Sequence, residues 1–345
     1  MNFYSNKKVL ITGDTGFKGS WLGIWLSILN AKVKGISNKI YKNSNYQICK
    51  LDKLWEHKEL DIRDNSKFIK EIDNFKPDII FHLAAQSLVY KAKQNPRYTI
   101  ETNILGTFNL LNYLRKIDYK ISLIIVSSDK VYKEKKNSCK ENDLLGASEL
   151  YGASKGCADI ISQAFYNTFF KRTNIGIAIS RAGNIIGGGD YSKNRLVSDI
   201  VSSIRKNRTI IIRNPEFTRP WQYILDVLNG YLILAENLYN DPNKYSDIFN
   251  FGPDKSYKVI DLVNKFIQFW GYGRYIISNK QNFHENDKLS LNSKKALEKL
   301  NWKNILNFEE SVKLTVEDYK SEESNNVLEN RIYRIKSFQK SLKQN

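Results

Sequence analysis

The chain has 345 residues, of which 41% are hydrophobic and 12% aromatic, a composition typical of a globular protein with a sizeable core. No apolar run approaches the roughly 18 residues that a membrane-spanning helix requires. The first residues, MNFYSNKKVLITG, lack the long apolar region of a signal peptide. We therefore expect a cytoplasmic protein with no membrane partner.

The formal net charge of +18 could reflect a nucleic-acid partner, because basic proteins bind phosphate backbones. The lysines are scattered, however, through a sequence that is also rich in Asn and Ile, which favours a solvated basic surface that attracts small anions. We expect no nucleic acid as partner. The dense basic stretch at residues 331–345 is predicted to be an exposed helix or tail. Cysteine and histidine spacings indicate no metal site.

Short apolar runs alternate with amphipathic segments along the first half of the chain. The strand-like runs are KKVLITG, KVKGIS, PDIIFHLAA, ISLIIVSS and IGIAISRAGN. Such alternation predicts an α/β fold, a Rossmann-like doubly wound parallel sheet with ligands beyond the carboxyl ends of its strands. We expect residues 1–182 and about 222–250 to form this domain. Residues 183–221 and 251–330 would form a smaller, partly interleaved substrate-binding lobe.

Three glycines, Gly13, Gly16 and Gly19, lie between the first strand and the first helix of this series. Glycines at such a turn allow a pyrophosphate to approach the backbone and the helix N-terminus, which favours a dinucleotide site over a structural turn. The second strand leads into Ser37, Asn38 and Lys39, with no acidic residue for the adenosine ribose. These residues alone do not choose between NAD and NADP.

The segment YGASK places Tyr151 and Lys155 four residues apart at the start of a predicted helix, so both project from one face. A phenol is a poor base at neutral pH, but a neighbouring ammonium group favours the phenolate. We therefore expect Tyr151 to remove a proton from a sugar hydroxyl. Lys155 would tune Tyr151 and bind the nicotinamide ribose.

The apolar run IIV is followed by two hydroxyls, a carboxylate and an ammonium, at Ser127, Ser128, Asp129 and Lys130. Alcohol oxidation needs only a hydroxyl, Tyr151 and a lysine. Asp129 and Lys130 add an acid and a base, which suit loss of water next to a transient ketone. Because the carboxylate stabilises the ammonium, the productive state should be the neutral form of both groups.

Several motifs together identify a family. The glycine spacing resembles that of the short-chain dehydrogenase/reductase superfamily. The strings GFKGSWL, HLAAQSLV, SSDKVY, YGASK, SRAGNIIGGGDYSKNRLVSDI and IRNPEFTRPWQYIL resemble the CDP-glucose 4,6-dehydratase family, as far as about Trp302. The resemblance implies NAD as cofactor, CDP-glucose as substrate and a homodimer or homotetramer.

The resemblance also implies residue roles. Ser128 would hydrogen-bond the C4 oxygen, Asp129 would be the general acid for water loss, and Lys130 would take part in removal of the C5 proton. The implied cofactor-binding residues are Gly13, Thr15, Gly16, Phe17, Lys18, Gly19, Asp61, Ile62, Leu83, Ala84, Ala85, Gln86, Thr102, Tyr151 and Lys155. The implied substrate-binding residues are Gln86, Ser128, Asn184, Arg195, Leu196, Arg213, Arg219 and His284.

Two departures from the family pattern affect these expectations. Asp14 stands where histidine is common, and its negative charge beside the pyrophosphate loop is expected to weaken cofactor binding. Lys93 stands where tyrosine is frequent, which leaves the sugar contacts open. Two alternatives remain: a different nucleotide-sugar 4,6-dehydratase or a 4-epimerase on the same fold, and a basic binding protein that has lost activity. The intact Tyr151/Lys155 and Asp129/Lys130 pairs argue against the second.

Overall fold

A computed structural model of the protein describes residues 3–135, 137–278 and 287–344. The expected substrate residue His284 lies outside the described residues. Among the residues that are described, no helix is long and apolar enough to cross a membrane.

Most strands are short, and their bounds follow in chain order. They are β1 (Lys8–Thr12), β2 (Lys32–Ser37), β3 (Glu56–Glu59), β4 (Ile79–His82), β5 (Ile121–Val126), β6 (Ile175–Ala182), β7 (Ile185–Ile186), β8 (Ile210–Ile212), β9 (Thr218–Arg219), β10 (Gln222–Tyr223), β11 (Ile248–Phe251), β12 (Tyr257–Lys258) and β13 (Tyr275–Ile277).

The helices connect these strands and cover the sheet. They are α1 (Phe17–Ile28), α2 (Asn45–Ile48), α3 (Asn65–Phe75), α4 (Val89–Gln94), α5 (Pro96–Ile100), α6 (Gly106–Leu114), α7 (Leu150–Phe165), α8 (Leu196–Arg205), α9 (Ile224–Asn240), α10 (Pro242–Tyr245), α11 (Val259–Trp270), α12 (Lys294–Leu300), α13 (Phe308–Ser321) and α14 (Val327–Ser341). Short 3₁₀ or π turns span Leu51–Lys53, Glu101–Leu105, Asp129–Val131 and Tyr166–Phe170.

Seven of the described strands form one parallel sheet, in the order β11-β6-β5-β4-β1-β2-β3. The inner strand β5, with the sequence ISLIIV, is buried along its whole length, as expected where helices cover both faces of a parallel sheet. It pairs with β6 from Ile121↔Ile175 to Val126↔Ser180. The predicted Rossmann-like doubly wound fold is confirmed.

The strand order reverses beside β1, which has β2 on one side and β4 on the other. This switch point is where open α/β sheets bind ligands. The loops after β1, β4 and β5 therefore emerge at one edge of the sheet. Small two-stranded sheets, β7 with β10, β9 with β12 and β8 with β13, build the second part of the molecule.

Separate apolar clusters fill the two sides of the main sheet and the lobe. One side contains α1 and α9, with Trp21 and Trp25 fully buried. The other side contains α3 and α6, with Phe68 at its centre. A further cluster joins α8, α11 and α13 around Phe266. The lobe thus has a core of its own.

The C-terminal helix differs from the exposed helix or tail expected for residues 331–345. Helix α14 begins at Val327 and packs on α1, where Phe338 meets Trp25 edge to face with ring centroids 5.8 Å apart. Arg331 is fully buried and pairs with Asp318. The basic composition predicted exposure because the apolar face of the helix and its one buried arginine lie among exposed lysines.

Candidate active site

The loop between β1 and α1 forms a close-packed glycine turn. Gly13 has a φ of +82°, a conformation that side-chain-bearing residues rarely adopt, and a Cβ there would lie 2.8 Å from the backbone nitrogen of Ala84. A Cβ on Gly19 would lie 2.1 Å from the carbonyl oxygen of Gly13. The loop can therefore fold closely over the start of α1 and against the end of β4.

The first turn of α1 is open to an anion. Gly16 is its N-cap residue, no side chain caps the helix, and the first turn contains no acidic residue. Free backbone N–H groups and the helix dipole favour a phosphate at this place. The glycine turn and the uncapped helix thus fit the pyrophosphate of a dinucleotide.

Asp14 does not face this phosphate position. Its carboxylate is fully buried and accepts hydrogen bonds from Ser37 Oγ at 2.7 Å, His57 Nδ1 at 2.8 Å and Trp55 Nε1 at 3.1 Å. A Cβ on Gly35 would lie 1.9 Å from Asp14 Oδ2, so the carboxylate lies over β2. The expected negative charge beside the pyrophosphate is therefore directed to β2 and β3 and compensated there.

The expected adenine-side residues lie at the ends of β3 and β4. Asp61 accepts hydrogen bonds from the backbone and guanidinium of Arg63. Burial alone would raise the pKa of Asp61, but these hydrogen bonds and the charge of Arg63 lower it. Ile62 is buried, and Leu83, Ala84 and Ala85 are partly exposed beside the glycine turn.

Thr102 and Gln86 differ in how they are used. The hydroxyl of Thr102 is buried and has no hydrogen-bond partner among the described residues, which makes it a free group for a cofactor. The side-chain amide of Gln86 is already engaged, donating to Thr99 Oγ1 at 3.0 Å and accepting from Leu88 N at 2.7 Å. Its expected contacts with cofactor and substrate would require these local bonds to change.

Thr15, Phe17 and Lys18 surround the start of α1. Thr15 donates to the carbonyl of Lys39 at 2.8 Å, which ties the loop to the segment after β2. Phe17 is partly buried and packs on the core. Burial, together with the positive charges of Arg195 and Lys155, lowers the pKa of Lys18 to about 7, and Asp129 opposes this shift. Lys18 thus belongs to the same electrostatic cluster as the expected catalytic residues.

The end of β5 makes a tight turn that exposes its functional groups to this cluster. Ser128 Oγ accepts from Lys130 N at 3.2 Å and donates to Asp129 Oδ1 at 3.2 Å. Asp129 Oδ2 is buried without a hydrogen-bond partner among the described residues. Burial raises the pKa of Asp129, and the charges of Lys130 and Arg219 partly oppose it. Burial thus acts toward the protonated form, which a general acid requires.

Helix α7 lies directly against this turn. A Cβ on Gly152 would lie 2.4 Å from the carbonyl oxygen of Lys130, so the glycine permits the close approach. Glu149 caps the helix by accepting from Tyr151 N at 2.8 Å and from Gly152 N at 2.7 Å. This cap fixes the first turn of α7 and with it the position of Tyr151.

Lys155 is buried, and Tyr151 is partly buried. Burial raises the pKa of Tyr151 to about 12, while the charge of Arg195 and a hydrogen bond with Ser128 act in the opposite direction. Burial lowers the pKa of Lys155 to about 8, opposed by the charge of Asp159. The structure therefore brings Ser128, Asp129, Tyr151 and Lys155 together, as the sequence predicts.

Most of the expected substrate residues come from the lobe, and not all of them reach this cluster. Arg195 Nη1 contacts Asp190 Oδ2 at 2.9 Å, and its Nη2 lies 3.4 Å from Ser87 Oγ, so it bridges the lobe and the loop after β4. Arg219 is buried and its charge reaches Asp129. Arg213 is exposed at the end of β8. Asn184 and Leu196 are partly buried beside β7 and at the start of α8.

Sequence reasoning missed the groups that support the catalytic residues. Asn103 donates to Ser154 Oγ at 2.9 Å on α7 and to the carbonyl of Gln86 at 3.0 Å. Arg181 donates from Nε to Asp159 at 2.8 Å and from Nη1 to the hydroxyl of Tyr132 at 2.9 Å. Asp159 follows Lys155 by four residues on α7, which was the one available signal.

His82 is a structural residue of the strand end. Its ring contacts Thr12 Oγ1 at 2.8 Å and Thr107 Oγ1 at 3.2 Å. Burial and the charge of Lys155 lower the pKa of His82 to about 3, so it is neutral in the folded protein. Among the described residues there is no group of three His, Cys, Asp or Glu that could hold a metal ion.

The chain is similar to known proteins over most of its length. Residues 10–315 match the family model described as GDP-mannose 4,6 dehydratase. A CDP-glucose 4,6-dehydratase of Salmonella typhimurium is 39% identical over 312 residues, covering 87% of each chain. A dTDP-D-glucose 4,6-dehydratase of Dictyostelium discoideum is 29% identical over 280 residues, covering 76% of this chain and 62% of that protein.

Solved structures share the fold. A UDP-glucose 4-epimerase of Thermotoga maritima, with UDP-glucose, superposes with a TM-score of 0.77 at 24% identity, covering 90% of this chain and 97% of that one. A dTDP-glucose 4,6-dehydratase of Bacillus anthracis in complex with NAD gives a TM-score of 0.75 at 19% identity, covering 90% and 96%. The predicted resemblance is confirmed, and the chain belongs to the GDP-mannose 4,6 dehydratase family.

Proposed function

We propose that this protein converts CDP-glucose to CDP-4-keto-6-deoxyglucose with NAD as its cofactor. The observation that carries this proposal is the close packing of the turn after β5 against the helix of Tyr151 and Lys155. In that turn Asp129 and Lys130 would supply an acid and a base. A 4-epimerase needs the tyrosine and lysine but has no use for a second acid–base pair. The 39% identical relative, a CDP-glucose 4,6-dehydratase, supports the same reaction.

The glycine turn, the uncapped start of α1 and the free hydroxyl of Thr102 fit a dinucleotide. The NAD in the Bacillus anthracis neighbour supports the choice of that cofactor. NAD, when bound, would supply a hydride acceptor at C4 of the sugar and a hydride donor for C6. Lys155 would hold the nicotinamide ribose, and Gly13 and Gly16 would admit the pyrophosphate.

Tyr151 would take the proton of the C4 hydroxyl, and Ser128 would hydrogen-bond the C4 oxygen. The positive charge of Arg195 and the hydrogen bond with Ser128 act toward the phenolate that this step requires, against the effect of burial on the pKa of Tyr151. The resulting ketone makes the C5 proton acidic, and Lys130 would take part in its removal. Asp129, whose pKa is raised by burial, would donate a proton to the departing C6 hydroxyl.

The nucleotide would bind between the main sheet and the lobe. Guanidinium groups suit a diphosphate because they make forked, charge-assisted hydrogen bonds. Arg195 and Arg219 lie at the catalytic cluster, and Arg213 lies at the exposed end of β8. We assign the diphosphate to these three residues, with Asn184 and Leu196 beside it.

The main sheet and the lobe would bind different molecules, the cofactor and the sugar nucleotide. Strand β11 joins the main sheet beside β6, which supports assignment of residues 222–250 to the cofactor domain with residues 1–182. The lobe, residues 183–221 and 251–330, would bind the sugar nucleotide.

Exposed apolar side chains on α6 and α7, among them Phe108 and Ile160, support a homodimer that forms through these helices. Light scattering on the purified protein tests this assembly.

The experiment that tests the proposal compares CDP-, dTDP-, GDP- and UDP-glucose as substrates in the presence of NAD, with product mass as readout. Loss of one water from the CDP sugar alone is the expected result. An unchanged mass with altered sugar stereochemistry would identify an epimerase instead. No turnover of any sugar, together with tight RNA binding, would favour the basic binding protein.

A further inference from the structure

We infer that Asp14 and His57 are a positioning pair that holds the glycine turn after β1 in the conformation that binds the dinucleotide. The inference rests on the proposed function, because it concerns the NAD site of that reaction. Asp14 follows Gly13 directly, yet its side chain leaves the phosphate position and enters the protein. It therefore acts through the backbone of the turn.

The contacts of Asp14 link the turn to two neighbouring strands. Oδ1 accepts from Ser37 at the end of β2, and Oδ2 accepts from His57 in β3 and from Trp55 just before β3, at 2.7, 2.8 and 3.1 Å. The same Ser37 Oγ accepts from Thr15 N at 3.3 Å. Asp14 is thus fixed to β2 and to the start of β3, and the residue after it is fixed to β2.

Backbone hydrogen bonds add to this arrangement, and one of them also reaches β2. Gly13 N donates to the carbonyl of Ile36 at 2.7 Å, and Gly16 N donates to the carbonyl of Gly13 at 3.1 Å. A turn that must stay open for a pyrophosphate cannot be filled with side chains of its own. Its conformation is therefore stabilised from β2 and β3, where Asp14 provides the side-chain connection.

His57 is one of three donors that stabilise the buried carboxylate of Asp14. Asp14 has no exposed surface, and an isolated buried carboxylate is strongly unfavourable. Because the acceptor is a carboxylate, His57 Nδ1 must carry the hydrogen of this bond. Gly35 is part of the same arrangement, since any side chain there would occupy the space of the carboxylate.

Preorganisation of this kind raises ligand affinity without adding a contact to the ligand. Loss of Asp14 should therefore weaken NAD binding and leave the chemistry of the bound enzyme nearly unchanged. The catalytic turn at Ser128–Lys130 and helix α7 do not hydrogen-bond to Asp14, Ser37, Trp55 or His57 in the described residues.

The test measures the Kd of NAD by calorimetry and the kinetic constants for CDP-glucose in the full-length protein. For Asp14→Ala we expect NAD to bind about tenfold more weakly, with kcat at saturating NAD and KM for CDP-glucose within about twofold of wild type. Asp14→Asn keeps an oxygen that accepts from His57 and Trp55 and turns its NH2 group toward Ser37 Oγ, which can accept, and it should restore NAD affinity to within about threefold.

A double variant and a control separate positioning from general loss of stability. Asp14→Ala with His57→Ala should bind NAD no more weakly than Asp14→Ala alone, because the two residues act as one unit. Tyr4→Phe removes a buried hydrogen bond to the carbonyl of Leu232, away from the turn, and should leave NAD affinity unchanged. If Asp14→Ala cannot be purified folded, His57→Ala takes its place as the variant expected to weaken NAD binding, and Asp14→Asn remains the conservative comparison.

The outcomes are distinct. If wild type binds NAD and the Asp14→Ala or His57→Ala variant binds it equally well, the positioning role is refuted while the proposed function stands. An equal fall in kcat at saturating NAD would also refute it, since the pair would then act on the chemistry. If wild type itself binds no NAD, the proposed function fails at its cofactor and the inference fails with it.

Discussion

Ser128 donates a hydrogen bond to Asp129 at 3.2 Å, and the second carboxylate oxygen of Asp129 is left buried without a partner in the described part of the chain. Burial raises the pKa of Asp129. A protonated oxygen that no protein group engages can donate to a ligand. This relationship explains how an aspartate beside a lysine can act as an acid.

Asp129→Asn should therefore abolish most of the water loss. The amide keeps the size and the bond to Ser128 but has no acidic proton for the departing hydroxyl. We expect the rate of dehydration to fall by about 10²–10⁴-fold, with NAD affinity unchanged, measured by product mass and calorimetry. Dehydration within tenfold of wild type would show that another group is the acid.

Lys130→Met should block elimination while leaving NAD binding intact, because the thioether cannot accept the C5 proton. Exchange of the C5 hydrogen with deuterated solvent should be lost along with the water loss. Lys133→Met is the matched control, since Lys133 is exposed and lies outside the catalytic turn. Elimination at the wild-type rate in Lys130→Met would refute the role of this lysine.

The pH dependence of the reaction rate should contain two opposing contributions, one from Tyr151 and one from Lys155. The pKa of Tyr151 is raised to about 12, so its phenolate fraction and the rate should increase from pH 6 upward. The pKa of Lys155 is lowered to about 8, so its helpful charge is lost above that pH and the rate should level off or fall.

Replacement of Lys155 tests whether this lysine causes the alkaline limb of the profile, the levelling or fall of the rate above pH 8. Lys155→Arg retains a positive charge at all accessible pH values. Its kcat/KM should be lower than wild type but should continue to rise above pH 8. An unchanged alkaline limb in this variant would mean that Lys155 does not cause it.

Asp226 should make stability depend on pH. Its side chain is buried on α9 and accepts from Ile305 N at 2.9 Å, and burial raises its pKa to about 7. The folded state therefore holds a proton that the unfolded chain has already lost above pH 4. Its contribution is present below the unfolded pKa and is lost as the pH rises through 7.

Asp226→Asn should remove this dependence, because the amide oxygen still accepts from Ile305 and carries no charge. The fall in the free energy of unfolding between pH 5 and pH 8 should be smaller by about 2–3 kcal/mol in the variant, measured by urea unfolding at both pH values. An identical fall in both proteins would show that Asp226 is ionised throughout.

Arg331→Met should destabilise the protein although it lies in a surface-like basic stretch. The guanidinium is buried between Asp318 and Glu322, and its removal leaves their charges uncompensated. We expect a loss of about 3–5 kcal/mol in the free energy of unfolding. Lys336→Met, on the exposed side of α14, should change it by less than about 0.5 kcal/mol.

The sequence predicted what depends on local pattern. Buried strands such as β5, the glycine turn at Gly13 and the Tyr151/Lys155 spacing are all local features, and each lies where the pattern indicates. The polar residues after β5 could be predicted to meet α7 because both follow from the topology of a doubly wound sheet.

Long-range pairings were not predictable in this way. The contacts of Asp14 with His57, and of Arg331 with Asp318, join residues far apart in the sequence and leave no periodic signal. The engagement of the Gln86 amide by Thr99 likewise depends on how α5 packs. Composition misled at residues 331–345, because charge density predicts exposure only when each cation lacks a buried partner.

The fate of the hydrogen at C4 of the sugar distinguishes dehydration by hydride transfer to C6 from epimerisation. CDP-glucose carrying deuterium at C4 is converted by the protein in the presence of NAD, and the product is analysed by mass and by NMR. We expect loss of one water with the deuterium transferred to the C6 methyl group, and no such product from Asp129→Asn. Deuterium remaining at C4 of a sugar of unchanged mass would contradict it.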